Sequence, residues 1–123
     1  DFIDNGLLDN PLVKGDINQK GKFKVPTLRN VAVTPPYMHN GVFKDLKTVL
    51  IYLNHFNDPD YNKKSQTEQK WEQPEYAATI NHEELKAPFL EPEKIDALVA
   101  FLESLTDERY LPLLKKIKQQ NGQ

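Results

Sequence analysis

Hydrophobic positions recur with helical spacing in two strong stretches of this chain. Leu46, Val49, Leu50 and Leu53 fall at i, i+3, i+4 and i+7 behind Asp45, a residue type that caps helix N-termini. That helix is expected to end near Asn54, because Asn57, Asp58, Pro59 and Asp60 signal a turn. Ile95, Leu98, Val99, Leu102 and Leu105 form a second stripe. It opens near Glu91, with Pro92 in the first turn and Glu93 suited to the helix dipole, and it closes near Thr106 and Asp107. A shorter helix is predicted from Leu111 to Lys118. Elsewhere the periodicity dissolves. Residues 1–24, rich in Asp, Asn, Gly and Lys, read as an extended arm or loop, and residues 57–88 as a long polar excursion anchored by Trp71. With no strand alternation and no repeat, the class is all-α with long loops.

Composition narrows the function more than the fold. At 123 residues the chain suits one domain spanning 1–123, and 38% apolar residues with nine prolines imply a modest core and much irregular structure. A net charge of −2 argues against nucleic-acid binding, since Lys115, Lys116 and Lys118 make only a small cluster. No apolar run approaches a membrane span. The first residue is Asp1 rather than Met, which leads us to expect a processed chain or a fragment. The absence of cysteine excludes disulfides, zinc-thiolate sites and thioether attachment within the chain.

The densest signature runs from Gly21 to Phe43. Pro26, Pro35 and Pro36 fix φ and restrict the residues before them, so this stretch is a stiff, shaped loop rather than a helix. It carries Arg29 and Asn30, expected to be buried, then Tyr37, Met38 and His39 ahead of Asn40 and Gly41. A buried Arg29 needs a bidentate carboxylate, either from a protein Asp or Glu in a structural salt bridge or from a cofactor. Met38 could serve as a soft thioether ligand or simply pack among aromatics. His39, His55 and His82 share no metal-binding spacing, and His55 and His82 read as ordinary loop or surface histidines. Asp58, Asp60 and Asn62 imitate a calcium loop, but Lys63 stands where the turn glycine belongs and Gln69 where the bidentate Glu belongs. Nucleotide-binding and serine-hydrolase patterns are absent.

At FKVPTLRNVAVTPPYMHNGVF (Phe23–Phe43), the Leu46 helix and KIDALVAFLESLTD (Lys94–Asp107), the chain resembles the bacterial di-haem cytochrome c peroxidase family, which includes the MauG-type enzymes. The resemblance implies a partial cytochrome c-like haem domain, lacking its Cys-x-x-Cys-His segment, from the C-terminal part of such a protein. Haem c would then be attached upstream of Asp1 or on a companion chain. It also implies a periplasmic location and a possible redox partner protein. Peroxide chemistry would lie at a haem held elsewhere, leaving no catalytic acid or base in this chain.

Site residues follow by position. The family's interdomain calcium takes backbone carbonyls at positions matching Thr34 and Pro36, a sensible donor type for a hard cation. Pro26, Leu28, Arg29, Asn30, Tyr37, Met38, His39, Tyr52 and Leu53 become the expected haem-pocket residues, with Arg29 and Asn30 facing a propionate. The family's axial ligand, Met or Tyr, lies fourteen residues beyond the loop histidine, which is Leu53 here. Leucine cannot ligate iron. Tyr52 is adjacent but about 100° around the helix. Either Tyr52 ligates through a register shift, or Met38, His39 or His55 does, or that ligand is missing; Tyr52 is the favoured expectation. The competing expectation is a haem-free interaction subunit that binds a partner through its loops.

Overall fold

The computed structural model describes residues 3–13, 15–57 and 76–120. The readings at Asp58, Asp60, Asn62, Lys63, Gln69 and Trp71 lie outside the described residues. Among the described residues, three α-helices carry the fold: α1 (Leu46–His55), α2 (Pro92–Ser104) and α3 (Leu111–Gln120). Short 3-10 turns punctuate the loops, and the described residues include isolated bridges but no strand. The three helices that the sequence predicts are present, with ends within three residues of those expected.

Their boundaries have local causes. The Asp45 carboxylate accepts both the Thr48 backbone N–H and the Thr48 hydroxyl, each at 2.8 Å, so it satisfies a donor that the first turn of α1 leaves orphaned. Pro92 opens α2, where its missing N–H costs nothing. Leu111–Gln120 forms as a separate helix because the chain turns through Glu108–Tyr110, capped by the Asp107 side chain on the Arg109 N–H.

The core is small. Ala32, Leu46 and Leu102 are buried together, with Val31, Tyr37, Leu50, Leu105 and Leu114 packed around them. It therefore sits where α1, α2, α3 and the Val31–Val33 turn converge. Lys47 of α1 pairs with Asp96 of α2 at 2.6 Å, while Asn54 near the other end of α1 bonds Leu90, just before α2 begins. Lys118 of α3 reaches Glu103 of α2 at 2.8 Å and ties the last helix on.

Residues ahead of Val25 form the loop, not the extended arm, of the two alternatives that composition left open. Leu7–Asp9 and Ile17–Gln19 are 3-10 turns, and a bridge between Gly6 and Lys22 closes the loop that holds them. Gly6 has φ +60°, and a Cβ there would collide with the Lys22 carbonyl oxygen, so this closure requires glycine. The folded loop is held from the far side of the sequence. Thr79 Oγ1 donates to the Lys20 carbonyl at 2.6 Å, and the Lys20 ammonium lies over the Tyr76 ring. Tertiary bonding, which composition does not encode, makes the difference.

The strongest long-range side-chain clamp on α1 belongs to Asn54. Its amide donates to the Leu90 carbonyl and accepts the Leu90 N–H, both at 2.9 Å, and the residue is only 7% exposed. Asn57 repeats the device more weakly by accepting the Ala87 N–H at 2.9 Å. Asn54→Ala removes both bonds and strands two backbone groups of Leu90. In the full-length protein it is expected to cost about 2–3 kcal/mol, read as a lower urea midpoint with unchanged slope.

Candidate functional site

The proline loop is fixed to the end of α2 by one residue. Asn30 adopts the left-handed conformation (φ 62°), which Asn tolerates better than most side chains. Its N–H donates to the Leu105 carbonyl at 3.1 Å, and its Oδ1 accepts the Asp107 N–H at 2.7 Å. The loop thereby caps the C-terminal end of α2. Arg29, expected to be buried, is exposed instead. Its backbone N–H is held by Thr27 Oγ1 at 3.2 Å, and its guanidinium adds to the field that lowers the Asp107 carboxyl, after the larger effect of the Arg109 hydrogen bonds. Apolar neighbours in sequence did not enclose Arg29, because Val25, Pro26 and Leu28 are exposed as well.

Beyond Asn30 the loop folds back on itself. Thr34 Oγ1 donates to the Val31 carbonyl, and the Pro35–Pro36 peptide is cis. Tyr37 and Phe43 form an antiparallel bridge closed by a turn in which Met38 (φ 70°) and Gly41 (φ 66°) are left-handed. Met38 is 41% exposed, and the His39 ring stacks on Phe23 with centroids 4.0 Å apart. Tyr37 turns inward. Its hydroxyl donates to the Val31 carbonyl at 2.9 Å, its ring packs against the core, and burial together with the Asp45 charge pushes its pKa up to about 12.

On α1, Tyr52 is half-buried in an aromatic cluster, 5.1 Å from Phe43 and 5.6 Å, edge-on, from Phe56. His55 Nδ1 contacts the Tyr52 carbonyl, and partial burial lowers its pKa. Leu53, the next residue along from Tyr52, is 37% exposed.

Helix geometry gathers these residues onto distinct faces. At about 100° per residue, Lys47 and Asp96 mark one edge of the α1–α2 pair, and Leu46, Ile95 and Leu102 the seam. Val49 and Leu53 of α1, Phe56 at its C-cap, and Leu98 and Phe101 of α2 fall on the opposite edge. That edge is apolar and open: Leu53, Phe56, Leu98 and Phe101 are 36–54% exposed. The Asn30–Leu105 bond brings Leu28, 52% exposed, to its α2 end. Thr106 lies at the same end, and its buried hydroxyl has no hydrogen-bond partner among the described residues. The candidate site is therefore the apolar edge of α1 and α2, with Arg29, Asn30 and Thr106 near the C-terminal end of α2. Among the described residues, no group of three or more His, Cys, Asp or Glu side chains could hold a metal.

Of the expected set, Arg29 and Asn30 stand near the C-terminal end of α2, Pro26 and Leu28 are exposed in the loop ahead of them, and Leu53 lies on the open edge. Tyr37 belongs to the core, while Met38 and His39 occupy the loop tip. Asn54, Thr106 and the Leu98–Phe101 edge were missed as site residues. The exposed edge had a signal: the apolar stripe of α2 is wider than one neighbouring helix can cover.

No family model matches the chain. Among curated proteins, the methylamine utilization protein MauG of Paracoccus denitrificans (strain Pd 1222) is 48% identical over 119 residues, which cover 94% of this chain and 30% of MauG. Two proteins named cytochrome-c peroxidase, IdrP1 and IdrP2 of Pseudomonas sp. (strain SCT), are 50% identical over 34 residues and 43% identical over 42. These cover 28% and 34% of this chain, and 9% and 11% of the relatives. The chain thus spans about 30% of the length of MauG and less of the other two.

The raised Tyr37 pKa sets a pH dependence with a definite sign. The folded value, about 12, exceeds the ordinary 10.0, so the unfolded chain ionises first. Stability from this group is whole below pH 10 and is lost as pH rises towards 12. Tyr37→Phe is expected to cost about 1 kcal/mol at neutral pH and to flatten the alkaline fall, as measured by urea unfolding across that range.

Proposed function

We propose, for a chain that belongs to the MauG and di-haem cytochrome-c peroxidase family, that it supplies one wall of a haem pocket in an oxidoreductase of that kind. The reading takes the chain as the C-terminal part of a cytochrome c-like domain in a periplasmic protein. A haem held against these residues would supply electrons to a peroxide-reacting haem elsewhere in the protein. The single observation that carries it is the open apolar edge of α1 and α2. Exposed leucines and phenylalanines on a continuous face are costly in water, and a macrocycle laid against them would bury that area.

The residues present fit such a group. The wall is apolar where a porphyrin face is apolar. Near the C-terminal end of α2 stand the exposed guanidinium of Arg29 and, below the surface, the unpartnered hydroxyl of Thr106, donors of the type that carboxylate propionates accept. The chain contains no cysteine, so covalent attachment must come from a Cys-x-x-Cys-His segment outside it, in the same protein or a companion chain. When bound, the haem supplies one-electron redox chemistry. The residues here exclude water from one of its faces and orient its acidic edge. Asn30 holds the proline loop to the end of α2, and Asn54 holds the far end of α1 against the entry to α2.

Calcium belongs to the same reading. The Thr34 and Pro36 carbonyls lie in a loop stiffened by proline and pinned by Asn30, a setting that keeps oxygen donors in fixed relation. The remaining donors would come from outside the chain. Pro26, Leu28, Tyr37, Met38 and His39 then serve as loop residues that shape the pocket's border.

The full-length protein should show a Soret band from haem that stays with the polypeptide on denaturation. Its absence, with the protein folded and its partner retained, would establish the haem-free interaction subunit instead. Removing calcium with a chelator is expected to slow electron delivery to the peroxide-reacting haem by about tenfold or more, the scale of losing a positioning contact. Unchanged rates and stability would remove Thr34 and Pro36 from the assignment.

A further inference from the structure

The open edge of α1 and α2 has a chemical property beyond being apolar. Apart from Lys94, the exposed side chains along it among the described residues, Leu53, Phe56, Leu98 and Phe101, contain no nitrogen, oxygen or sulfur. An iron-bound ligand needs a donor lone pair, which in haem proteins comes from His, Met, Cys or Tyr. We infer that this wall gives the haem no axial ligand. The iron then keeps a free coordination position on this face, suited to a small neutral diatomic molecule. The inference rests on the haem-pocket reading above.

Among the described residues, the donor-bearing side chains nearby are directed or engaged elsewhere, Met38 standing exposed at the loop tip. Tyr52 lies about 100° around α1 from Leu53 but one turn before Phe56, and its ring is taken up in contacts with Phe43, His55 and Phe56. His55 Nδ1 contacts the Tyr52 carbonyl. The His39 ring is stacked on Phe23 at the loop tip. The Tyr37 hydroxyl donates to the Val31 carbonyl inside the core, where burial keeps the phenol protonated. Lys94, in the first turn of α2, shares the face of Leu98 and Phe101 by helical spacing. A lysine there keeps its ammonium in water while its stem covers apolar surface.

The same composition selects the ligand. Peroxide and anions such as cyanide gain from hydrogen-bond donors around the free position, and leucine and phenylalanine provide none. Carbon monoxide carries no charge and needs no donor, so an apolar wall accepts it without loss. The position is therefore a diatomic-gas site, distinct in ligand preference from a peroxide-reacting haem.

The test uses the full-length, haem-loaded protein, reduced and titrated with carbon monoxide while the Soret region is followed. Wild type is expected to take up one more equivalent than Leu53→Met, because methionine matches leucine in volume and brings a thioether to the wall. Tyr52→Phe should leave uptake at the wild-type level and the oxidised spectrum unchanged. Equal uptake by wild type and Leu53→Met would overturn the inference. So would a gain of uptake in Tyr52→Phe, which would make Tyr52 the ligand. A protein without any haem band would instead overturn the underlying haem-pocket reading.

Discussion

The paired hydrogen bonds of Asn30 are the constraint on which the rest of the site depends. One asparagine in a left-handed conformation joins the Leu105 carbonyl and the Asp107 N–H, so a loop without regular structure becomes continuous with the end of α2. The Val31–Val33 turn follows immediately and delivers Ala32 to the core beside Leu46 and Leu102. Tyr37 then reaches back to the Val31 carbonyl and closes the loop against the same core. Removing the Asn30 amide would loosen four things together: the cap of α2, the core contact of Ala32, the anchor of Tyr37 and the position of Arg29. A network of this kind stabilises more than its separate bonds, because each bond lowers the entropy cost of the next.

Asn54 performs the corresponding task at the other end. A side-chain amide has the same donor and acceptor pair as a backbone peptide, so it can satisfy a neighbouring residue as a strand partner would. Asn54 does this for Leu90 and ends the long excursion where α2 must begin. Asn54 thus clamps α1 to the entry of α2, and Asn30 ties the proline loop to its exit, without extensive burial. That suits a chain whose described core contains few fully enclosed side chains.

These clamps explain what could be seen in the sequence and what could not. The helices were legible because their signals are local: Asp45 as a cap, Pro92 in a first turn, and apolar residues at helical spacing. The loop was legible as stiff and shaped because prolines act on their own dihedrals. Asn30 and Asn54 were not assigned these roles, since an asparagine's partner 77 or 36 residues away leaves no local trace. Arg29 misled for the reverse reason. Apolar neighbours in sequence usually mean burial, but here the neighbours are themselves at the surface, where they form part of the wall's border. The family resemblance at the loop and the two helices agrees with the relatives, although it could not say which faces stay open.

The distribution of charge around α1 and α2 makes the open edge more than an accident of a small core. Lys47, Asp96, Glu103 and Lys118 are paired along one edge of the helix pair, where ion pairs remain wet and contribute little to stability. Had the opposite edge been selected for water, the same residue types would serve there at no cost. Apart from Lys94 at one end, it carries leucine and phenylalanine instead, whose exposure favours association by roughly 25 cal/mol for each square ångström covered. One helix pair thus presents a solvated face and a face that demands a cover. Helical periodicity keeps the two apart, because residues three and four positions on return to the same side. Whatever covers the apolar face gains by presenting apolar surface to it.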